Sequence, residues 1–217
     1  MEHMPYRDEL NTVIQPQAEP SVVSSDWQSG LPVIGGSRVV LRELRTSDAA
    51  SLFAMLTTEE VTRFISPPPS TVEGFERFIQ WTLRQRAAGK YVCFAVTPAG
   101  DDTAVGIIQV LQLDNAFENA EWGFAIGSEF WGTGMFQEAA QLTLAFAFDV
   151  VGVQRLEARA TVCNGRGTGA LRKLGAVQEC VLRKSFSRNG EYFDQALWTI
   201  LAEDWKVGGR VCSGRIH

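Results

Sequence analysis

Histidine is almost missing from this chain. Among 217 residues it occurs only as His3 and His217, one near each end. That removes Ser-His-Asp triads and most histidine metal sites from consideration. Cysteine is scarce as well. Cys93, Cys163, Cys180 and Cys212 form no C-x-x-C pair, so neither a zinc site nor a dithiol motif is suggested. They are read as reduced thiols. No run approaches the ~18 apolar residues of a membrane helix. The opening MEHMPYRDEL lacks the charged-then-apolar pattern of a secretion signal. A basic excess is missing too. The net charge of -5 argues against a protein built to coat nucleic acid, though not against a local basic patch. No internal repeat is visible. These absences leave an expected cytoplasmic, globular protein without metal, membrane or nucleic-acid partners, 45% hydrophobic and 21% charged.

What is present centres on Glu121 to Ala140, EWGFAIGSEFWGTGMFQEAA. It reads as strand, glycine turn, helix start. Glycines at such a turn let backbone N–H groups converge on an anion, and the helix dipole adds partial positive charge. The stretch therefore predicts a phosphate or diphosphate site at the start of that helix. Plain loop chemistry also explains two close glycines. A dinucleotide-binding fingerprint would want a third glycine where Gln137 stands.

Around this centre the chain orders itself. Residues 1–36 are polar and proline-bearing and predict an arm, loose or draped over the domain. Residues 37–206 form the domain and 207–217 a tail. Ser37–Leu44 predicts a strand, and Thr46 or Ser47 caps a helix to Thr57. Glu59–Ile65 is one short turn or helix. Ser70 and Glu73 form a capping box for a helix ended by Gly89. Three strands follow as a meander: Tyr91–Thr97, Ala104–Leu113 and Ala120–Ile126. The apolar run Thr133–Val151 predicts a buried helix stopped by Gly152. Gln154–Val162 returns beside the third meander strand as a parallel neighbour. Asn164 caps a helix to Leu174, and Asn189-Gly190 joins the strands Val177–Ser187 and Glu191–Leu201 as a hairpin. The fold class is α+β (mixed α/β). It has a central mixed, mostly antiparallel sheet of about seven strands with helices on both faces.

This order, with FWGTGMFQEA at 130–139, LEARATVCN at 156–164 and LRKLGA at 171–176, resembles the GCN5-related N-acetyltransferase (GNAT) superfamily. Within it the chain is similar to the ribosomal-protein N-terminal acetyltransferases. The resemblance spans roughly Ser37 to Trp205. The family's diphosphate loop reads Arg/Gln-x-x-Gly-x-Gly/Ala. Here Trp131 stands first, Gly134 fourth and Phe136 last, and Phe136 departs from the pattern.

The resemblance implies an N-acetyltransferase that uses acetyl-CoA as co-substrate, needs no metal and acts on an amine acceptor. The acceptor would be a protein N-terminus or a small-molecule amine, and a homodimer is possible. CoA would lie in a splay between the third meander strand and the returning strand. Its pantetheine would pair with the backbone of Phe124, Ala125 and Ile126. Its diphosphate would rest on Trp131, Gly132, Thr133, Gly134, Met135 and Phe136. Asn164 matches the family asparagine that contacts CoA; it is carried as a catalytic and a cofactor residue, and it is also a helix cap. Arg166, Arg172 and Lys173 lie near the expected nucleotide end, and Arg166 is carried as a cofactor residue.

Glu121 is the only acidic residue of the strand Ala120–Ile126, and it is the candidate base, acting directly or through water. Its competing role is a partner for Arg159 on the next strand. The family's tyrosine acid, seven residues after the asparagine, is Leu171 here. Tyr192, Ser185 and Ser187 are possible substitutes. Gly165, Gly167 and Gly169 predict close approach of CoA to the helix start. The alternative to an enzyme is a non-catalytic acyl-CoA sensor, suggested by Phe136 and the missing tyrosine.

Overall fold

In the computed structural model, residues 26–206 are described. The predicted arm over 1–25 and the tail over 207–217 lie outside them, as do His3, His217 and Cys212.

Short apolar runs, some alternating and one buried along nearly its whole length, build the sheet. The strands are β1 (Ile34–Gly35), β2 (Val39–Glu43), β3 (Tyr91–Pro98), β4 (Gly106–Gln112), β5 (Asn119–Ile126), β6 (Arg155–Thr161), β7 (Val177–Arg188) and β8 (Glu191–Leu201). They form one sheet in the order β1-β2-β3-β4-β5-β6-β8-β7, in which only β5 and β6 run parallel. That is one strand more than the sequence suggested. Ile34–Gly35 is too short to show a periodicity of its own. Trp27, also within the stretch read as an arm, is buried against Phe117 with ring centroids 5.8 Å apart.

Helices cover both faces. α1 (Ala49–Leu56), α2 (Glu59–Thr62) and α3 (Val72–Ala87) lie on one side. Leu52, Leu56, Phe75 and Ile79 pack there on Tyr91, Cys93 and Ala95. α4 (Met135–Phe146) and α5 (Gly165–Lys173) lie on the other. Here Ala139, Ala140 and Leu144 meet Val92, Phe94, Ile108 and Leu156 in the larger core. α4 runs into one wide turn, Ala147–Val151, and ends at Gly152 with φ 91°.

One cap shifts. Thr71, not Ser70, caps α3, and its hydroxyl accepts the Gly74 N–H at 3.0 Å. Gly74 lies against Pro69, where a Cβ would come within 2.9 Å, so the close approach to the proline run needs glycine there. Asn189 and Gly190 both take positive φ, 50° and 81°, as a tight hairpin turn requires. Among the described residues no helix is long and apolar enough to cross a membrane.

Candidate active site

β5 has two halves. Asn119, Ala120 and Glu121 pair with Arg155, Leu156 and Glu157 of β6. Beyond Glu121 that ladder stops, while β5 stays paired with β4 through Ile126 and β6 stays paired with β8 through Thr161. The two strands therefore part, and one edge of Phe124–Ile126 is left for another partner.

The starts of α4 and α5 face this opening. Gly132 has φ 78° and Gly134, the residue capping α4, has φ 86°. A side chain at either would be strained, so the loop needs glycine twice. The first-turn amides of α4 have no acceptor within the helix. At the second helix start, Asn164 Oδ1 accepts the Gly167 N–H at 2.9 Å and caps α5. A cap of this kind contributes about 1 kcal/mol. Gly167 serves that cap: a Cβ there would come within 2.6 Å of the Asn164 amide. Gly165 and Gly169, by contrast, face open space.

Between these helix starts and the segment that follows α2 lies a cavity of about 790 Å³. It brings together most of the residues singled out from the sequence: Phe124, Ala125, Ile126, Trp131, Gly132, Gly134, Phe136, Asn164 and Arg166. Thr133 and Met135 are not in its wall. The Thr133 hydroxyl donates to the Phe130 carbonyl at 2.8 Å and accepts the Met135 N–H at 3.3 Å, so both residues shape the loop from behind. The Met135 side chain is buried in the core. Phe136 does not close the loop. Its ring turns toward the sheet and packs on Phe124, with centroids 4.2 Å apart. The Ile126 carbonyl already accepts the Trp131 indole N–H at 3.1 Å.

The cavity's charge is mainly positive. Arg63, Arg166 and Lys173 line it, with Glu60 as the acidic side chain. Arg166 sits 3.8 Å above the Trp131 ring. Arg172 instead lies over the Trp198 ring, at 5.6 Å. Arg38 was not singled out from the sequence, yet its guanidinium rests against the loop, 3.6 Å from where a Gly134 Cβ would be. It comes from the far edge of the sheet, and nothing in its local sequence signals this. The Glu138 carboxylate holds it there by accepting the Ser37 and Arg38 N–H groups, each at 2.7 Å.

Glu121 stands on the last paired rung, outside the cavity wall, with Oε2 3.9 Å from the Arg159 Nε. Leu171, at the tyrosine position, is 1% exposed and belongs to the core. Tyr192 points away into solvent, 65% exposed. The Ser185 hydroxyl bonds within its own hairpin. Among the described residues, no group of three His, Cys, Asp or Glu side chains is placed to hold a metal ion.

A profile for the acetyltransferase (GNAT) domain matches residues 38–177. The chain belongs to the GNAT family of N-acetyltransferases. It is 26% identical over 175 residues to the uncharacterized N-acetyltransferase YoaA of Bacillus subtilis, covering 78% of this chain and 97% of that one. It is 23% identical to the putative ribosomal N-acetyltransferase YdaF of the same organism, covering 71% and 98%. The ribosomal-protein-S5-alanine acetyltransferase from Vibrio fischeri shares the fold, with a TM-score of 0.72 at 20% identity over 80% of this chain and 98% of that one. The mixed, mostly antiparallel sheet is the GNAT architecture, and the chain is an acyltransferase.

Proposed function

We propose that this GNAT protein uses acetyl-CoA and passes its acetyl group directly to a primary amine, with no covalent enzyme intermediate. The observation that carries this is the parting of β5 from β6 at Glu121, directly beside the left-handed glycine loop. A strand edge suits the amides of pantetheine, and a helix start flanked by cations suits a diphosphate. The acceptor is a protein N-terminus or a small-molecule amine.

The chemistry asks for a neutral amine, a polarised carbonyl and a stabilised thiolate. The amine nitrogen forms its bond to the thioester carbon as the C–S bond breaks. Nitrogen loses one proton and sulfur gains one. Most of the rate comes from holding the two reactants together. Phe124–Ile126 and the loop orient one of them. Asn164 fixes the turn beneath it. Arg38, Arg166 and Lys173 meet the phosphates. Glu121, with Oε2 3.9 Å from the Arg159 Nε, takes the amine proton through water. Leu171 has no proton to give, so water supplies the one that joins sulfur.

A second reading, an acyl-CoA sensor without turnover, draws on the buried Leu171. Calorimetric titration with acetyl-CoA, with NADH in parallel, comes first, followed by an amine screen read by thiol release. The enzyme reading expects micromolar acetyl-CoA binding, no NADH binding, and release with at least one amine. Glu121→Gln should lower kcat by about 10²–10⁴-fold and leave acetyl-CoA affinity in place. Binding without release for any amine would favour the sensor. No binding would end both readings.

A further inference from the structure

A second cavity, of about 290 Å³, adjoins the first and shares Arg63 and Phe64 with it. It lies between the segment after α2 and the β7–β8 hairpin. Three aromatic rings, Phe64, Phe186 and Phe193, line it together with Arg63, Arg188 and Thr161.

Its construction is specific. β7 is irregular between Leu182 and Phe186, with Lys184 at φ 50° and its N–H donated to the Asp194 carboxylate at 2.7 Å. Such a bulge re-aims the strand beyond it. The hairpin tip then reaches α2's side of the cleft, where the Arg188 Nη1 donates to the Ile65 carbonyl at 3.2 Å. That bond engages one edge of a planar fork, and among the described residues its other N–H groups stay open to a carboxylate. At the floor, Thr161 is 1% exposed and its Oγ1 has no hydrogen-bond partner among the described residues. A buried hydroxyl without a partner calls for one, and a polar ligand atom in this cavity would supply it. Glu191 is the acidic side chain in this wall, and it is exposed.

We infer that this cavity holds the distal part of the amine acceptor, and that the acceptor is a small apolar amino acid with a free carboxylate. The inference rests on the transferase reading above. Arg188, with Arg63, takes the carboxylate. Thr161 supplies a hydrogen bond. The three phenylalanines surround the apolar side chain. The local charge opposes a polyamine, although the chain as a whole is acidic at -5. The volume sits at the lower end of the roughly 300–1,000 Å³ usual for small-molecule sites.

The test uses the full chain with saturating acetyl-CoA and thiol release as readout. Leucine and phenylalanine are compared with leucinamide and spermidine. The expected order puts the free amino acids first by roughly tenfold or more in kcat/KM. Arg188→Ala should raise KM for leucine roughly ten- to hundredfold and leave leucinamide nearly unchanged. Thr161→Val, remote from the hairpin bond, should raise it about tenfold without changing acetyl-CoA affinity. Leucinamide or spermidine turning over as well as leucine, or an Arg188→Ala loss shared equally by all acceptors, would overturn the inference. Acetyl-CoA binding measured on the same samples separates the two claims. If it binds and only the ranking fails, the acceptor assignment alone falls. If it does not bind, the transferase reading falls with it.

Discussion

The two walls of the cleft are made in different ways. One, the loop before α4 and the start of α5, is held by main-chain geometry: left-handed glycines at 132 and 134 and the Asn164 cap. The other, the segment after α2 and the hairpin tip, is held by side chains. Its cross-link, Arg188 to Ile65, spans 123 positions of sequence. The difference follows from what each wall must do. A diphosphate asks for converging N–H groups, which any side chains can surround so long as the backbone is right. An acceptor asks for particular shapes and charges, which only side chains provide.

The largest effect should come from cutting the root of the side-chain wall. Arg42 is 4% exposed, and its guanidinium grips both Asp48 oxygens at 2.8 Å and the Asp102 carbonyl at 2.7 Å. This ties β2 to the turn that leads into α1 and α2. Arg42→Leu would leave Asp48 buried without its counter-charge and should cost about 3–5 kcal/mol in urea unfolding. A loss under about 1 kcal/mol would mean that the pair is no anchor and that this wall is held elsewhere.

The same difference explains what could be read from the sequence. The succession of strands and helices along the chain, the Asn189-Gly190 hairpin, the Asn164 cap and the glycine loop are local signals, each carried within a few residues, and they were legible. Thr71 displaced Ser70 as a cap, and two adjacent residues of like chemistry could not be told apart from the sequence alone. Gly167 reads as open backbone, but its need arises from the folded Asn164 side chain. Arg38 and Thr161 carry no local mark at all. Their roles arise when distant strands bring them to the cleft, and the unpartnered Thr161 hydroxyl is visible only once the surrounding atoms are in place. Glu121 stood out as the strand's lone carboxylate, but its 3.9 Å distance from Arg159 depends on the register of β5 with β6.

A smaller and more selective effect should come from the main-chain wall. Gly134→Val would force a β-branched residue into φ 86°, a strain of about 1–2 kcal/mol. If the strain falls on the binding-competent loop, acetyl-CoA should bind roughly five- to thirtyfold more weakly. The preference for a carboxylate-bearing acceptor should persist, because Arg188 lies in the other wall and Thr161 on β6, both away from the glycine loop. A variant that loses acceptor preference in step with cofactor affinity would show that the walls are not independent.

The smallest effect is a pH dependence on the hairpin side. Glu179 on β7 receives two hydrogen bonds from Arg155, at 2.8 and 2.7 Å, and one from the Thr199 hydroxyl at 2.9 Å. The Arg155 bonds, then the Thr199 bond, pull its carboxyl down to about 2. In the unfolded chain it titrates near the ordinary value of about 4.3. The unfolded state therefore takes up the proton first as pH falls. The contribution is complete above about pH 4.3 and is lost progressively toward pH 2. Glu179 is 38% exposed, so solvent screening holds the amount to about 0.5 kcal/mol. Glu179→Gln should flatten the stability profile by that amount between pH 4 and 2 and leave the rest unchanged. Because Arg155 also bonds Glu157 at 2.9 Å, on the rung that pairs with Glu121, the variant also tests how far the last paired rung depends on the hairpin. Unchanged turnover at pH 7 in Glu179→Gln would keep the two walls separate. A loss of turnover there would place the parting of β5 and β6 under the control of β7.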